Sequence, residues 1–241
     1  MGRVALVTGG TRGIGKAISV ALKNAGHKVA ANYAGNDKAA AEFTAETKIP
    51  AYRWDVGDFH GCQTGIAAVE KDIGPVEILV NNAGITRDVM LHKMTPEQWE
   101  DVLRTDLTSL FNMCRHVIEG MRERNFGRII NIGSINGQRG QLGQTNYCAA
   151  KSGLLGFTKA LALECAKKGV TVNALAPGYI DTDMVSAVPE NVLKSIVAQI
   201  PVGRLGTAEE IAHCAVFLAD DKTSFMTGAT LTCNGAHYIA G

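Results

Sequence analysis

The chain has 241 residues, enough for one large domain or two small ones. With 46% hydrophobic and 20% charged residues it has the composition of a soluble globular protein, and a chain of this size buries roughly 70–75% of its unfolded surface without needing disulfides. The formal net charge of +1 gives no field of one sign, which removes support for nucleic-acid or membrane-surface partners.

Short apolar runs alternate with longer amphipathic segments. Strands are predicted at 3–8, 28–33, 51–56, 76–81, 128–134, 170–175 and 229–233. They are aliphatic or β-branched and mostly lack polar alternation, as strands covered on both faces do. Helices are predicted at about 14–25, 37–47, 58–73, 96–124, 145–168 and 207–219. Thr95-Pro96-Glu97-Gln98 reads as an N-cap with proline at the first helical position. Gly26, Gly74, Gly127 and Gly169 stand where C-cap glycines belong. The alternation predicts an α/β fold: a Rossmann-type, doubly wound parallel sheet of about seven strands, with helices on both faces. No linker or repeat divides it, so a single domain over 1–241 is expected. The segment 181–206, with Pro189 and Pro201, breaks the pattern and reads as a lid.

Cys62, Cys114, Cys148, Cys165, Cys214 and Cys233 form no CxxC pair and read as reduced packing residues. The run Val4-Ala5-Leu6-Val7 is too short for a signal peptide or a membrane span. A cytoplasmic protein is expected. The six histidines show no ligand spacing, and no metal site is expected.

The first predicted strand runs into Thr8-Gly9-Gly10-Thr11-Arg12-Gly13-Ile14-Gly15, and a helix follows. Glycines there let the backbone turn sharply and approach a pyrophosphate, while the helix N-terminus supplies N–H groups and partial positive charge. The second strand ends at Asn32-Tyr33-Ala34, with no acid before Asp37 to hold a ribose 2′-hydroxyl. Arg12 is available to a 2′-phosphate instead. The combination predicts NADPH.

Tyr147 and Lys151 lie four positions apart in a predicted helix and share a face. An ammonium beside a phenol favours the phenolate, which makes the tyrosine a usable acid and base near neutrality. Ser134 ends a predicted strand, where open α/β sheets bind ligands, and its hydroxyl suits a substrate carbonyl. Such a Tyr–Lys pair alone is usually structural; the glycine turn and Ser134 give it weight.

TGGTRGIG (8–15), NNAG (81–84), Ser134, Tyr147-Cys148-Ala149-Ala150-Lys151 and Pro177-Gly178 together resemble the short-chain dehydrogenase/reductase family, end to end. The resemblance implies that Gly9, Thr11, Arg12, Gly13, Ile14 and Gly15 cradle the cofactor with Asn32. It places Asp55 and Val56 beside the adenine. Asn82, Ala83, Gly84, Pro177 and Gly178 then line the cleft, and Lys151 also holds the nicotinamide ribose. Within the family the chain is most similar to reductases of short 3-oxoacyl thioesters carried on CoA, as in polyhydroxyalkanoate synthesis, and next to those acting on acyl carrier protein. Asp88, Gln141, Leu142, Gln144 and Tyr179 would border the acyl chain and pantetheine, while Arg87, Arg139 and Arg204 are candidates for the CoA phosphates. A homotetramer is implied, with contacts on helices 96–124 and 145–168. A non-catalytic nucleotide-binding sensor is the remote alternative.

One position departs from the family, which commonly has Thr-Asn-Leu where this chain has Thr105-Asp106-Leu107. Asp106 either serves the proton relay behind Lys151 through water or leaves it weakened. Asn112, six positions on, falls on another helix face. Replacing Asp106 by Asn is expected to keep at least a tenth of the turnover.

Overall fold

The structure, a computed structural model, describes residues 2–182 and 190–239. Seven parallel strands form one sheet: β1 Val4–Val7, β2 Lys28–Tyr33, β3 Ala51–Arg53, β4 Ile78–Asn81, β5 Gly127–Ile132, β6 Val170–Pro177 and β7 Thr230–Cys233, ordered β3-β2-β1-β4-β5-β6-β7. The helices are α1 Gly13–Asn24, α2 Asp37–Thr47, α3 Phe59–Asp72, α4 Pro96–Leu103, α5 Ser109–Glu123, α6 Asn136–Arg139, α7 Thr145–Cys165, α8 Glu190–Val197 and α9 Ala208–Ala219. None of those among the described residues is long and apolar enough to cross a membrane.

The unbroken hydrophobicity of the strands follows from burial on both faces. Ala5, Val7, Ile78 and Val80 face one core with Ile18 and Leu22 of α1, Phe43 of α2, and Ile211 and Leu218 of α9. Leu6 and Leu79 face the other, against Ile66 of α3, Met113 and Val117 of α5, and Cys165 of α7. Neighbours in one strand thus serve opposite cores, as a period of two requires. All six cysteines are free. Burial pushes the thiols of Cys62 and Cys114 up to about 12, against a weaker opposing effect of their hydrogen-bonding neighbours, so both stay protonated packing groups.

Three expectations need correction. Gly127 is not a helix cap: it opens β5, and the positive φ that ends α5 falls on Asn125, at 52°. Glycine is needed there for space, since a Cβ would come within 2.6 Å of Met121 Sδ. The third strand stops at Arg53, because the chain crosses to the ligand edge once Trp54 N–H has bonded Tyr33 O. The long helix 96–124 is three pieces. Arg104–Thr108 widens into one π-helical turn between α4 and α5. The extra residue in such a turn re-aims one side chain, and here it points Asp106 inward.

The predicted lid includes residues 183–189, which lie outside the described residues. Its described part contains α8. Its two ends meet where Ile180 bridges Gly206, with Asp181 N–H donating to Gly206 O at 2.8 Å.

Candidate active site

The strand order reverses between β1 and β4, so the crevice beyond their C-terminal ends is the ligand edge of this sheet. The loop after β1 is the glycine-rich turn. Gly9 and Gly13 have φ of 59° and 51°. Gly15 packs so tightly that a Cβ would sit 2.1 Å from Gly9 O. The turn is bolted to the loop after β4. Thr8 Oγ1 accepts the N–H groups of Asn82 (2.9 Å) and Ala83 (3.0 Å), and Asn82 Nδ2 donates to Thr8 O and Gly9 O. Thr8 is a positioning residue that sequence reasoning quoted but gave no role. Its signal, a buried hydroxyl at a strand end, needs the facing loop to be read.

No side chain caps the N-terminus of α1, and its first turn carries no acid, so its N–H groups and dipole suit an anion. Arg12 occupies the N-cap and is exposed. Thr11 is buried and Ile14 half-buried. Asn32 stands behind the turn: it is 1% exposed, and its amide donates to Trp54 O at 3.0 Å. At the same edge Asp37 is held by Arg53 (3.2 Å) and the Tyr33 hydroxyl (3.1 Å), and Arg53 also donates to Ala34 O. Asp55 pairs with Arg104 at 2.7 Å; burial alone would raise its carboxyl, but Arg104 and the Gly57 N–H hold it below the ordinary range. Val56 is buried and Gly178 N–H donates to Cys233 O, while Pro177 O accepts from Ile135 N–H.

These glycines give a direct test of the cradle. Gly15→Ala should gain about 1 kcal/mol of helix propensity yet lose about 1–3 kcal/mol to overpacking against the Gly9 carbonyl. The net expectation is a lower melting temperature and dinucleotide binding weakened at least about tenfold, the loss of one well-placed interaction. Fluorescence titration with NADPH measures it; native affinity would mean the turn does not approach a ligand closely.

The second half of the crevice comes from β5, the π turn and α7. Ser134 follows β5, its hydroxyl accepts the Asn136 N–H at 3.1 Å, and it acts to lower the Tyr147 phenol. Tyr147 and Lys151 share a face of α7, with the ammonium 5.5 Å from the ring centre. Tyr147 is half-buried. Burial raises the phenol above its ordinary value, Lys151 opposes that, and Asp106 adds to it.

Lys151 donates to Ile132 O at 3.0 Å and faces Asp106 Oδ2 at 3.2 Å. Asp106 Oδ1 accepts the Ile85 N–H at 2.8 Å. Asp106 thus meets Lys151 directly. Asn112 is indeed elsewhere, donating to Val56 O at 2.9 Å. Gly84 makes the contact possible, because a Cβ there would lie 2.8 Å from Asp106 Oδ2 and 3.5 Å from Lys151 Nζ.

Three of the five residues predicted to border substrate, Asp88, Gln141 and Gln144, are joined by polar contacts that the sequence did not reveal. Gln144 donates to Asp88 at 2.7 Å and accepts from Asn136 at 2.9 Å. Asn136 accepts from Arg139, which also donates to Gln141 at 3.2 Å and meets His237 at 2.7 Å. The His237 ring stacks on Tyr179, and Leu142 stands 80% exposed at the rim. Arg139 is therefore part of the rim's framework. Arg204 forks onto Glu210 at 2.7 and 2.9 Å, and Arg87 lies 3.6 Å from Asp101.

A family model described as Enoyl-(Acyl carrier protein) reductase matches residues 9–236. This chain belongs to the short-chain dehydrogenase/reductase family. It is 65% identical to an acetoacetyl-CoA reductase of Rhizobium meliloti (strain 1021) over 241 residues, covering 100% of both chains. It is 64% identical to an acetoacetyl-CoA reductase of Shinella zoogloeoides, over 99% of this chain and 100% of that one. Identity is 44% to a 3-oxoacyl-[acyl-carrier-protein] reductase of Haemophilus influenzae, over 99% of each chain. In a short-chain dehydrogenase/reductase, the Ser134–Tyr147–Lys151 cluster at the ligand edge is the natural place to look for chemistry.

Proposed function

We propose that this chain reduces acetoacetyl-CoA, or another short 3-oxoacyl-CoA, to the (R)-3-hydroxyacyl-CoA with NADPH, as in polyhydroxybutyrate synthesis. The observation that carries the reading is the convergence of the Ser134 hydroxyl, the Tyr147 phenol and the Lys151 ammonium at the sheet's switch point. A bound nicotinamide supplies the hydride. Ser134 and Tyr147 hold the ketone oxygen by hydrogen bonds. As negative charge grows on that oxygen, Tyr147 gives it a proton, and the ketone becomes a secondary alcohol. Lys151 has three donors; Ile132 O takes one and Asp106 faces the ammonium, which leaves donor capacity for a ribose hydroxyl.

NADPH is favoured because Asp37, the first acid in sequence after β2, is engaged by Arg53 and Tyr33 and so is less available to a ribose hydroxyl. CoA is favoured by the names of the relatives at 62–65% identity. The reading takes 1–241 as one domain, with 181–206 as the substrate lid, in a cytoplasmic homotetramer. Phe111 on α5 and Leu163 on α7, 52% and 84% exposed, give the tetramer apolar contact points.

The test follows NADPH absorbance with acetoacetyl-CoA and with acetoacetyl-acyl carrier protein. The expected kcat/KM is higher with the CoA ester, and at least about tenfold higher with NADPH than NADH, the worth of one charged contact. Sedimentation should give four chains. A preference for the carrier-protein ester selects the second reading, equal use of NADH removes the NADPH assignment, and no turnover with either leaves a nucleotide-binding sensor.

A further inference from the structure

Asp106 is a carboxylate enclosed in protein, with side-chain exposure of 0%, against 5% for its partner Lys151. Burying a charge pair is costly unless its geometry is fixed, and three features fix this one. The π turn aims Asp106 inward. The Ile85 N–H binds Oδ1. Gly84 leaves the pair bare against the backbone.

Burial pushes the carboxyl above its ordinary value, with Lys151 and the Ile85 N–H opposing. The contacts nonetheless suit the ionised form, because the hydrogen-bond partner of Oδ1 is a donor. Oδ2 faces an ammonium, so a protonated carboxyl would have no acceptor among the described contacts. Lys151 is in turn held in its charged form: burial works against the charge, and Asp106 with Tyr147 outweighs it.

The charge next to Tyr147 is then that of a neutral pair, not of a free cation. Facing the phenol are Lys151 from its own helix, Asp106 from the π turn, Asp88 from the loop after β4, and the uncharged Ser134 after β5. We propose that Asp106 is a positioning residue that neutralises Lys151 and so keeps Tyr147 in its protonated, proton-donating form well into the alkaline range. This rests on reading Tyr147 as the proton donor. Reduction then holds its rate to higher pH, and alcohol oxidation, which needs the phenolate, begins at higher pH. The phenol's upward displacement by burial and Asp106 agrees in direction.

Asp106→Asn keeps an acceptor for Ile85 and removes the charge. Its alkaline limb for reduction, and its rising limb for oxidation, should both move to lower pH by about 1–2 units, the scale set by losing a nearby charge. Turnover near neutrality should stay within tenfold. A second readout needs no turnover: the tyrosinate absorbance of each protein as pH rises, less that of the same protein carrying Tyr147→Phe, follows this phenol alone. It should shift down with the kinetic limbs in Asp106→Asn. In the otherwise unaltered chain it should lie above the free tyrosine value of about 10, a check that stands even if Asp106→Asn does not fold. Limbs and absorbance that stay put or move upward in Asp106→Asn overturn the proposal, as does a Tyr147 in the native chain that titrates below free tyrosine. If instead Tyr147→Phe keeps turnover within tenfold, the assignment of Tyr147 as donor fails, while the absorbance titration still decides what Asp106 does to the phenol.

Discussion

Tyr147→Phe should lower kcat for ketone reduction by about a thousandfold, within the range general-acid catalysis supplies, and leave NADPH binding within about threefold of native. The phenol oxygen is the group whose proton Ser134 and Lys151 both act to loosen, and phenylalanine removes it while the ring remains. Stability should change little. The ring stays in place, and Ser134 keeps the Asn136 N–H that its hydroxyl accepts at 3.1 Å. The residual rate reflects what remains, namely Ser134 on the ketone oxygen and the geometry of the crevice. Stopped-flow measurement of NADPH oxidation separates the chemical step from product release. A fall of less than tenfold would mean that another group, or water, delivers the proton.

The sheet was legible because parallel strands covered on both faces must be apolar throughout, and because each turn from strand to helix carries local chemistry. Gly9 to Gly15 and Thr95 to Gln98 announce themselves in consecutive residues. Tyr147 and Lys151 were legible for the same reason, since a four-residue spacing on a helix puts them together without knowledge of the rest of the fold. Contacts between distant segments were not. Nothing local says that Thr8 would accept from residues 82 and 83, or that Asn136 and Arg139 would tie Asp88, Gln144, Gln141 and His237 into one rim. The π turn was hidden too: a helix-period pattern continues through Arg104–Thr108, and one extra residue per turn leaves no compositional mark. That hidden residue count decides where Asp106 points, and so why the family's asparagine position here holds a direct partner of Lys151.

Lys151→Met is the substitution that separates the two services of that lysine, and it should be severe in both. Loss of the ammonium should cost about a thousandfold in turnover. It should also destabilise the fold by about 3–5 kcal/mol, because removing one member of a buried pair strands the other. The stranded group is Asp106, whose Oδ2 has Lys151 as its nearby charge and no well-aligned hydrogen bond to replace it. Burial already pushes its carboxyl upward against the pull of Lys151, and without the lysine that push is unopposed except by the Ile85 N–H. The folded variant then holds a proton that the unfolded chain releases near pH 4. With more protons bound in the folded state, stability falls as pH rises from that value through the raised folded one. Lys151→Met should therefore approach native stability in mild acid and lose it towards pH 8. Adding Asp106→Asn removes the stranded charge, so the double variant should recover most of the stability at pH 8 and none of the turnover. Urea unfolding of the native chain, both single variants and the double variant at pH 5 and pH 8 makes this a double-mutant cycle. A Lys151→Met protein as stable as native at pH 8 would show that the buried carboxyl was never charged, and the electrostatic account of Tyr147 would fall with it.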